Sequence, residues 1–144
     1  MTNYGWDFML AGLKLALERH PGEDRIVAWP RVKTSMSREE AYAKLTAAGG
    51  LFVESPAEAL RTGQEYAMQT VSGDRYSGRV EVITRQRGFC VTIRELKDPL
   101  PWLSIEGAGQ IEVQAWLSAF GLPKQDVDAF GERWEERLQE MFAG

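Results

Sequence analysis

The chain has 144 residues, 44% of them hydrophobic and 26% charged, with a formal net charge of -4. That make-up fits one globular domain able to bury a core without staples, and its acidic balance excludes a general nucleic-acid binder, which needs a basic surplus to neutralise phosphates. A single cysteine, Cys90, excludes an internal disulfide and a multi-cysteine metal site.

The opening MTNYGWDFML lacks a basic n-region, and no apolar run approaches the roughly 20 residues that span a bilayer. A cytoplasmic chain with no membrane insertion is the expectation. From Asn3, a plausible N-cap, to Arg19 the sequence reads as a helix. Trp6, Leu10, Leu13 and Leu17 recur at helical spacing, and Phe8, Met9 and Leu15 widen the apolar arc. So wide an arc needs cover, from the rest of the chain or from a second copy. Pro21-Gly22 ends the segment.

Arg25 to Thr34 reads as a strand, with Pro30 favouring an edge or a break. Ser37-Arg38-Glu39-Glu40 is a capping box that opens a helix through Tyr42 and Leu45, predicted to stop at Gly49-Gly50. Ser55-Pro56-Ala57-Glu58 repeats the signal for a second short helix ending near Gly63. From Gln64 the period becomes two. Tyr66, Met68 and Thr70 share one side; Val80 and Val82 alternate with Arg79 and Glu81; Phe89, Val91 and Ile93 alternate with Cys90, Thr92 and Arg94. Turns fall at 72–75 and 86–88, and Asp98-Pro99-Leu100-Pro101 interrupts the pattern before Trp102 to Glu106. A last strand follows, with Ile111, Val113, Ala115 and Leu117 on one side. Such a run predicts an antiparallel meander with one apolar face.

Pro123 to Phe142 closes the chain as a long helix. Val127, Phe130, Trp134, Leu138 and Met141 form its apolar stripe, opposite Lys124, Asp128, Arg133, Glu135, Glu136 and Glu140. Gly131 interrupts the interior and suggests a bend. The fold class is α+β: a curved antiparallel sheet wrapped around a long C-terminal helix, with two short helices after the first strand and an extra N-terminal helix.

The order and residues together resemble the START-like helix-grip superfamily, also called SRPBCC or Bet v 1-like, in the branch related to the activator of Hsp90 ATPase. The resemblance rests on Ser37 to Tyr42, on Tyr76 to Val82, and above all on Trp116 to Leu122 with Arg133-Trp134 and Leu138 to Phe142. It runs from about Ile26 to Phe142, which makes 25–144 a helix-grip domain and 1–24 an N-terminal helix ahead of it. Aligning Trp6 with Trp134 places Leu10 on Leu138 and Leu13 on Met141. That echo makes the first segment either the remnant of a preceding related copy or a helix packed on this domain.

Candidate chemistry is sparse. His20 is the lone histidine, so a nucleophile pair would join it to Cys90, with no orienting motif. No spacing predicts a metal or a cofactor. Glu95, Asp98, Glu106 and Glu112 flank strand ends, where carboxylates are usually solvated, and Arg85, Arg87 and Arg94 either meet an anion or solvate a hairpin. The residues expected to line a space between sheet and final helix are Tyr66, Met68, Phe89, Val91, Trp102, Phe130, Trp134 and Leu138. They form either a ligand cavity or a filled core. What the resemblance implies is non-enzymatic binding of a small hydrophobic or amphipathic ligand. The alternatives are a chaperone-associated or other protein-interaction module, with a protein partner or a homodimer through the N-terminal helix, and a cyclase- or hydrolase-type enzyme.

Overall fold

The computed structural model describes residues 4–56, 60–84, 87–96 and 100–143, without the side chains of Tyr4, Asp7 and Leu100. Helix α1 (Tyr4–Arg19) leads into β1 (Arg25–Ala28) and β2 (Arg31–Thr34), then α2 (Arg38–Thr46). Strands β3 (Glu65–Gln69), β4 (Arg75–Thr84), β5 (Gly88–Val91), β6 (Leu100–Glu106) and β7 (Ile111–Phe120) follow, and α3 (Lys124–Phe142) ends the chain. The seven strands make one curved antiparallel sheet in the order β1-β7-β6-β5-β4-β3, with β2 also paired to β7. The expected Asn3 cap, the middle of the second short helix, Arg85, and Asp98-Pro99 lie outside the described residues. Either side of that stretch, the Leu60 N–H donates to the Pro56 carbonyl.

Local rules explain most boundaries. The single strand expected over Arg25 to Thr34 is cut at Trp29-Pro30, where proline has no N–H to give; both halves still pair with β7. The capping box is present in full, with Ser37 Oγ accepting from the Glu40 N–H and Glu40 accepting from the Ser37 N–H. Helix α2 stops at Thr46, before the predicted Gly49-Gly50, because a turn closed by Gly50 N–H to Ala47 carbonyl intervenes. Gly121, at φ 68°, turns β7 into α3 through a conformation that other residues resist.

The α3 stripe lies on the inner face of the sheet. Val127, Phe130, Trp134, Leu138 and Met141 are all buried, as is Phe142. At roughly 1.5–3 kcal/mol for each large side chain, this is the main adhesive of the fold. Helix α3 runs unbroken through Gly131, where a Cβ would sit 3.2 Å from the Ala28 Cβ, so the glycine lets helix and β1 approach closely.

A second, smaller core lies on the outer face of the sheet. Phe8 and Leu15 of α1 cover Cys90 and Phe120, with Val82, Trp102 and Trp116 packed around them. A register shift between Val80 and Val82 explains one departure from the expected alternation. The bulge leaves Val80 in the inner core and turns Val82 to the outer cluster.

Candidate functional site

Beneath α3, at the β3–β6 half of the sheet, the inner face carries a cluster of aromatic rings centred on Trp134. Its indole stacks on Phe130 at 4.7 Å between centroids and on Tyr76 at 6.3 Å, and meets Phe52 edge-on at 6.5 Å. Phe52 in turn approaches Phe89 at 6.4 Å. Strand alternation aims these rings inward: Tyr66 and Met68 from β3, Tyr76 from β4 and Phe89 and Val91 from β5 all face α3. Tyr76 stands directly opposite Met68 across the β3–β4 ladder.

The cleft so formed is lined by Phe52, Leu60, Tyr66, Met68, Tyr76, Phe89, Val91, Ile93, Pro101, Leu103 and Trp134. Its free volume is about 10 Å³, room for no more than about one water molecule. In this structure the rings of the aromatic set pack closely around that space. Next to it lies an open groove of about 510 Å³ along β3 and β4, lined partly by Val53, Gln69, Arg75, Ser77 and Glu95. Groove and cleft share Met68 and Tyr76.

Of the eight residues singled out in the sequence, Tyr66, Met68, Phe89, Val91 and Trp134 come together around the cleft. Phe130 and Leu138 are buried in the same core without lining it. Trp102 is on the other face of the sheet, stacked on Phe8 at 4.4 Å. On β6 it is Pro101, Leu103 and Ile105 that point inward, and the parity of Leu103 and Ile105 was the available signal. Phe52, Leu60, Tyr76, Ile93, Pro101 and Leu103 were missed as lining. Tyr76 was recoverable from Met68, once the 72–75 turn had fixed the hairpin register.

Among the described residues, the polar side-chain groups lining the cleft are the phenols of Tyr66 and Tyr76 and the Trp134 indole. The Tyr66 hydroxyl donates to the Thr92 carbonyl at 2.6 Å. Burial, then the charge of Glu95, pushes its pKa far above the ordinary tyrosine value. Burial likewise raises Tyr76, whose hydroxyl reaches Asp74 at 3.5 Å. Among the described residues no carboxylate lines the cleft. Glu95 is exposed in the groove, accepting from the Ser77 N–H and hydroxyl. Burial works to raise its carboxyl, but those bonds outweigh it and hold the group below the usual glutamate value. Glu106 pairs with Arg87 at 3.0 Å, and Glu112 accepts from Gln114. Arg94 bridges to Glu65.

The Cys90 thiol is fully enclosed, and burial, then Glu81, raises its pKa well above the ordinary thiol value, so thiolate is scarce. His20 stacks on Phe120 and shares its Nδ1 with Glu23 at 3.1 Å. That arrangement lacks an activated nucleophile. Among the described residues no cluster of three metal-ligating side chains forms, and no helix is long and apolar enough to cross a membrane.

A curved antiparallel sheet gripping a long C-terminal helix, with a buried aromatic cleft between them, is a helix-grip fold. Solved structures agree. The Aha1 dimer from Colwellia psychrerythraea matches with a TM-score of 0.61 at 15% identity, over 83% of this chain and 98% of that one. CalU16 from Micromonospora echinospora gives 0.60 at 14% identity, over 85% and 83% respectively. Ara h 8.0201 gives 0.56 at 11%, over 82% and 95%. No protein-family model matches the sequence, and no curated protein matches it closely enough to count. At these identities the likeness establishes the fold, and function has to be argued from the site.

Proposed function

We propose that this chain binds a small apolar or amphipathic molecule between the sheet and α3, without catalysing its conversion. The observation that carries the reading is the pair of spaces joined at Met68 and Tyr76. The inner cleft is apolar and almost closed, and the adjoining groove of about 510 Å³ has mixed walls, with Val53, Ala67 and Met68 beside Gln69, Arg75, Ser77 and Glu95. That groove falls within the roughly 300–1,000 Å³ of small-molecule sites. Displacing the flexible Met68 side chain opens one space into the other. A ligand's apolar part then lies against Phe89 and Trp134, and its polar end stays near Arg75, Ser77 and Gln69. Binding energy comes from apolar surface removed from water, at roughly 25 cal/mol per Å². A cytoplasmic location belongs to the same reading, since Cys90 is a free thiol.

A thermal-shift panel of fatty acids, sterols and aromatic polyketides tests the proposal on the parent chain and on Met68→Ala, which widens the passage. At least one class is expected to raise the melting temperature, and more strongly for the variant. Silence from every class on both proteins ends the ligand reading.

A second reading, a chaperone-associated interaction module, is supported by the exposed apolar side of α1 and by the likeness to Aha1. Its test is the steady-state ATPase rate of an Hsp90-type chaperone with this chain added. An unchanged rate sinks it.

A further inference from the structure

Helix α1 has two apolar sides. Phe8 and Leu15 are buried against the sheet. On the opposite side of the helix, Trp6, Met9, Leu10, Leu13 and Leu17 are 60, 62, 59, 56 and 70% exposed. A helix that is apolar on both sides ordinarily has something on both sides. We infer that this uncovered side is the two-fold interface between two copies of the chain, packed α1 against α1 in antiparallel fashion.

The pattern identifies the occupant. Trp6, Leu10, Leu13 and Leu17 are spaced four, three and four apart, a narrow seam with two positions in seven. Such a seam fits a helix partner, whereas a helix docked on a sheet shows a broader arc. Among the described residues, the other large exposed apolar side chains, Trp29, Val53 and Val71, lie outside helices. Of the described helices, α1 is thus the one that offers such a seam, and the matching partner is another α1. The spacing also reads the same in both directions about the Ala11-Gly12 peptide. A two-fold axis there sets Trp6 against Leu17 of the other copy and Leu10 against Leu13, which is the self-complementarity that an isologous interface requires.

The area is sufficient. The four seam side chains, with Met9 beside the seam, are each roughly 200 Å² and more than half exposed, and together offer on the order of 600 Å² per copy. Two copies then bury about 1,200 Å², the lower end of specific protein interfaces. The arrangement is independent of what enters the cleft, because α1 lies on the outer face of the sheet.

Two measurements test it. Sedimentation of the full chain between about 5 µM and about 500 µM is expected to show a monomer–dimer equilibrium, weakened at least about 100-fold in Leu10→Glu/Leu13→Glu. That variant should keep the parent's far-UV circular dichroism, since neither side chain enters the chain's own core. A chain that stays monomeric throughout overturns the proposal, as does a dimer indifferent to the double change. The second measurement fixes direction without relying on those variants. In a Cys90→Ala background, mixing Trp6→Cys with Leu17→Cys should give the mixed disulfide in at least fivefold excess over the Trp6→Cys homodimer. Preferred self-linking of Trp6→Cys refutes the antiparallel arrangement.

Discussion

Cys90 provides a built-in reporter for the outer core. Its thiol is fully buried beneath Phe8 and Leu15, so a labelling reagent reaches it only when something opens. If α1 lifts off as a unit, leaving the sheet folded, the labelling rate follows the docking energy of α1 alone. Phe8→Ala removes a ring that is 7% exposed and stacked on Trp102 at 4.4 Å. Such a truncation costs about 3–5 kcal/mol. With a tenfold change for each 1.4 kcal/mol, the labelling rate should rise about 100- to 3,000-fold. Leu138→Ala supplies the control. It removes a fully buried side chain on α3, on the far side of the sheet, at a global cost of about 2–5 kcal/mol. Under local undocking it should leave the Cys90 rate within about threefold of the parent. The assay is absorbance-monitored thiol exchange under native conditions, with the reagent dilute enough for opening to pre-equilibrate. Equal acceleration in the two variants would show that Cys90 is exposed only by global unfolding and would refute a separately docked α1.

Three further outcomes follow from the geometry. A Cβ on Gly78 would overlap the Thr92 carbonyl, which also receives the Tyr66 hydroxyl. Gly78→Ala should therefore cost about 3 kcal/mol and lower the melting temperature by about 10 °C; a melt within about 2 °C of the parent would contradict the packing described. Arg137 donates to the Gly49 and Gly50 carbonyls, at 2.7 Å for the shortest contact, and ties the loop after α2 to α3. Arg137→Lys should lose about 1–2 kcal/mol because an ammonium cannot reproduce the fork, and full recovery with lysine would count against that role. Glu95 is held below its usual value, so its contribution is complete above the ordinary glutamate range and is lost as pH falls through the lowered value. The stability gap between the parent and Ser77→Ala, read from urea melts, should accordingly shrink between about pH 6 and about pH 3. A gap that does not change with pH disproves the coupling.

Local rules written into the chain proved strong where a single residue decides the outcome. Ser37 and Glu40 open α2 as the spacing demands, and Pro30 divides the first strand. The α3 stripe was legible because five apolar positions at one period leave no other face to bury. Strand parity was less readable where both faces of the sheet are covered. Trp102 and Leu103 are both apolar, so alternation alone does not tell which one faces α3. The shift at Val80 and Val82 depends on pairing with β5, which no local pattern encodes. Nor does the volume of the cleft follow from its residues. Phe52 and Leu60 arrive from the segment between α2 and β3, and these are among the side chains that fill it.

The placement of α1 changes what kind of surface the back of this sheet is. Trp102 stacks on Phe8 of that helix, and Phe120 and Trp116 belong to the same apolar cluster. A shortened chain beginning at Arg25 would keep every strand and the gripped helix, yet bare a greasy plate with two indoles on it. Its failing would be stickiness, since the grip itself would remain whole. Anyone trimming the domain to its helix-grip outline should expect precipitate from an otherwise sound fold.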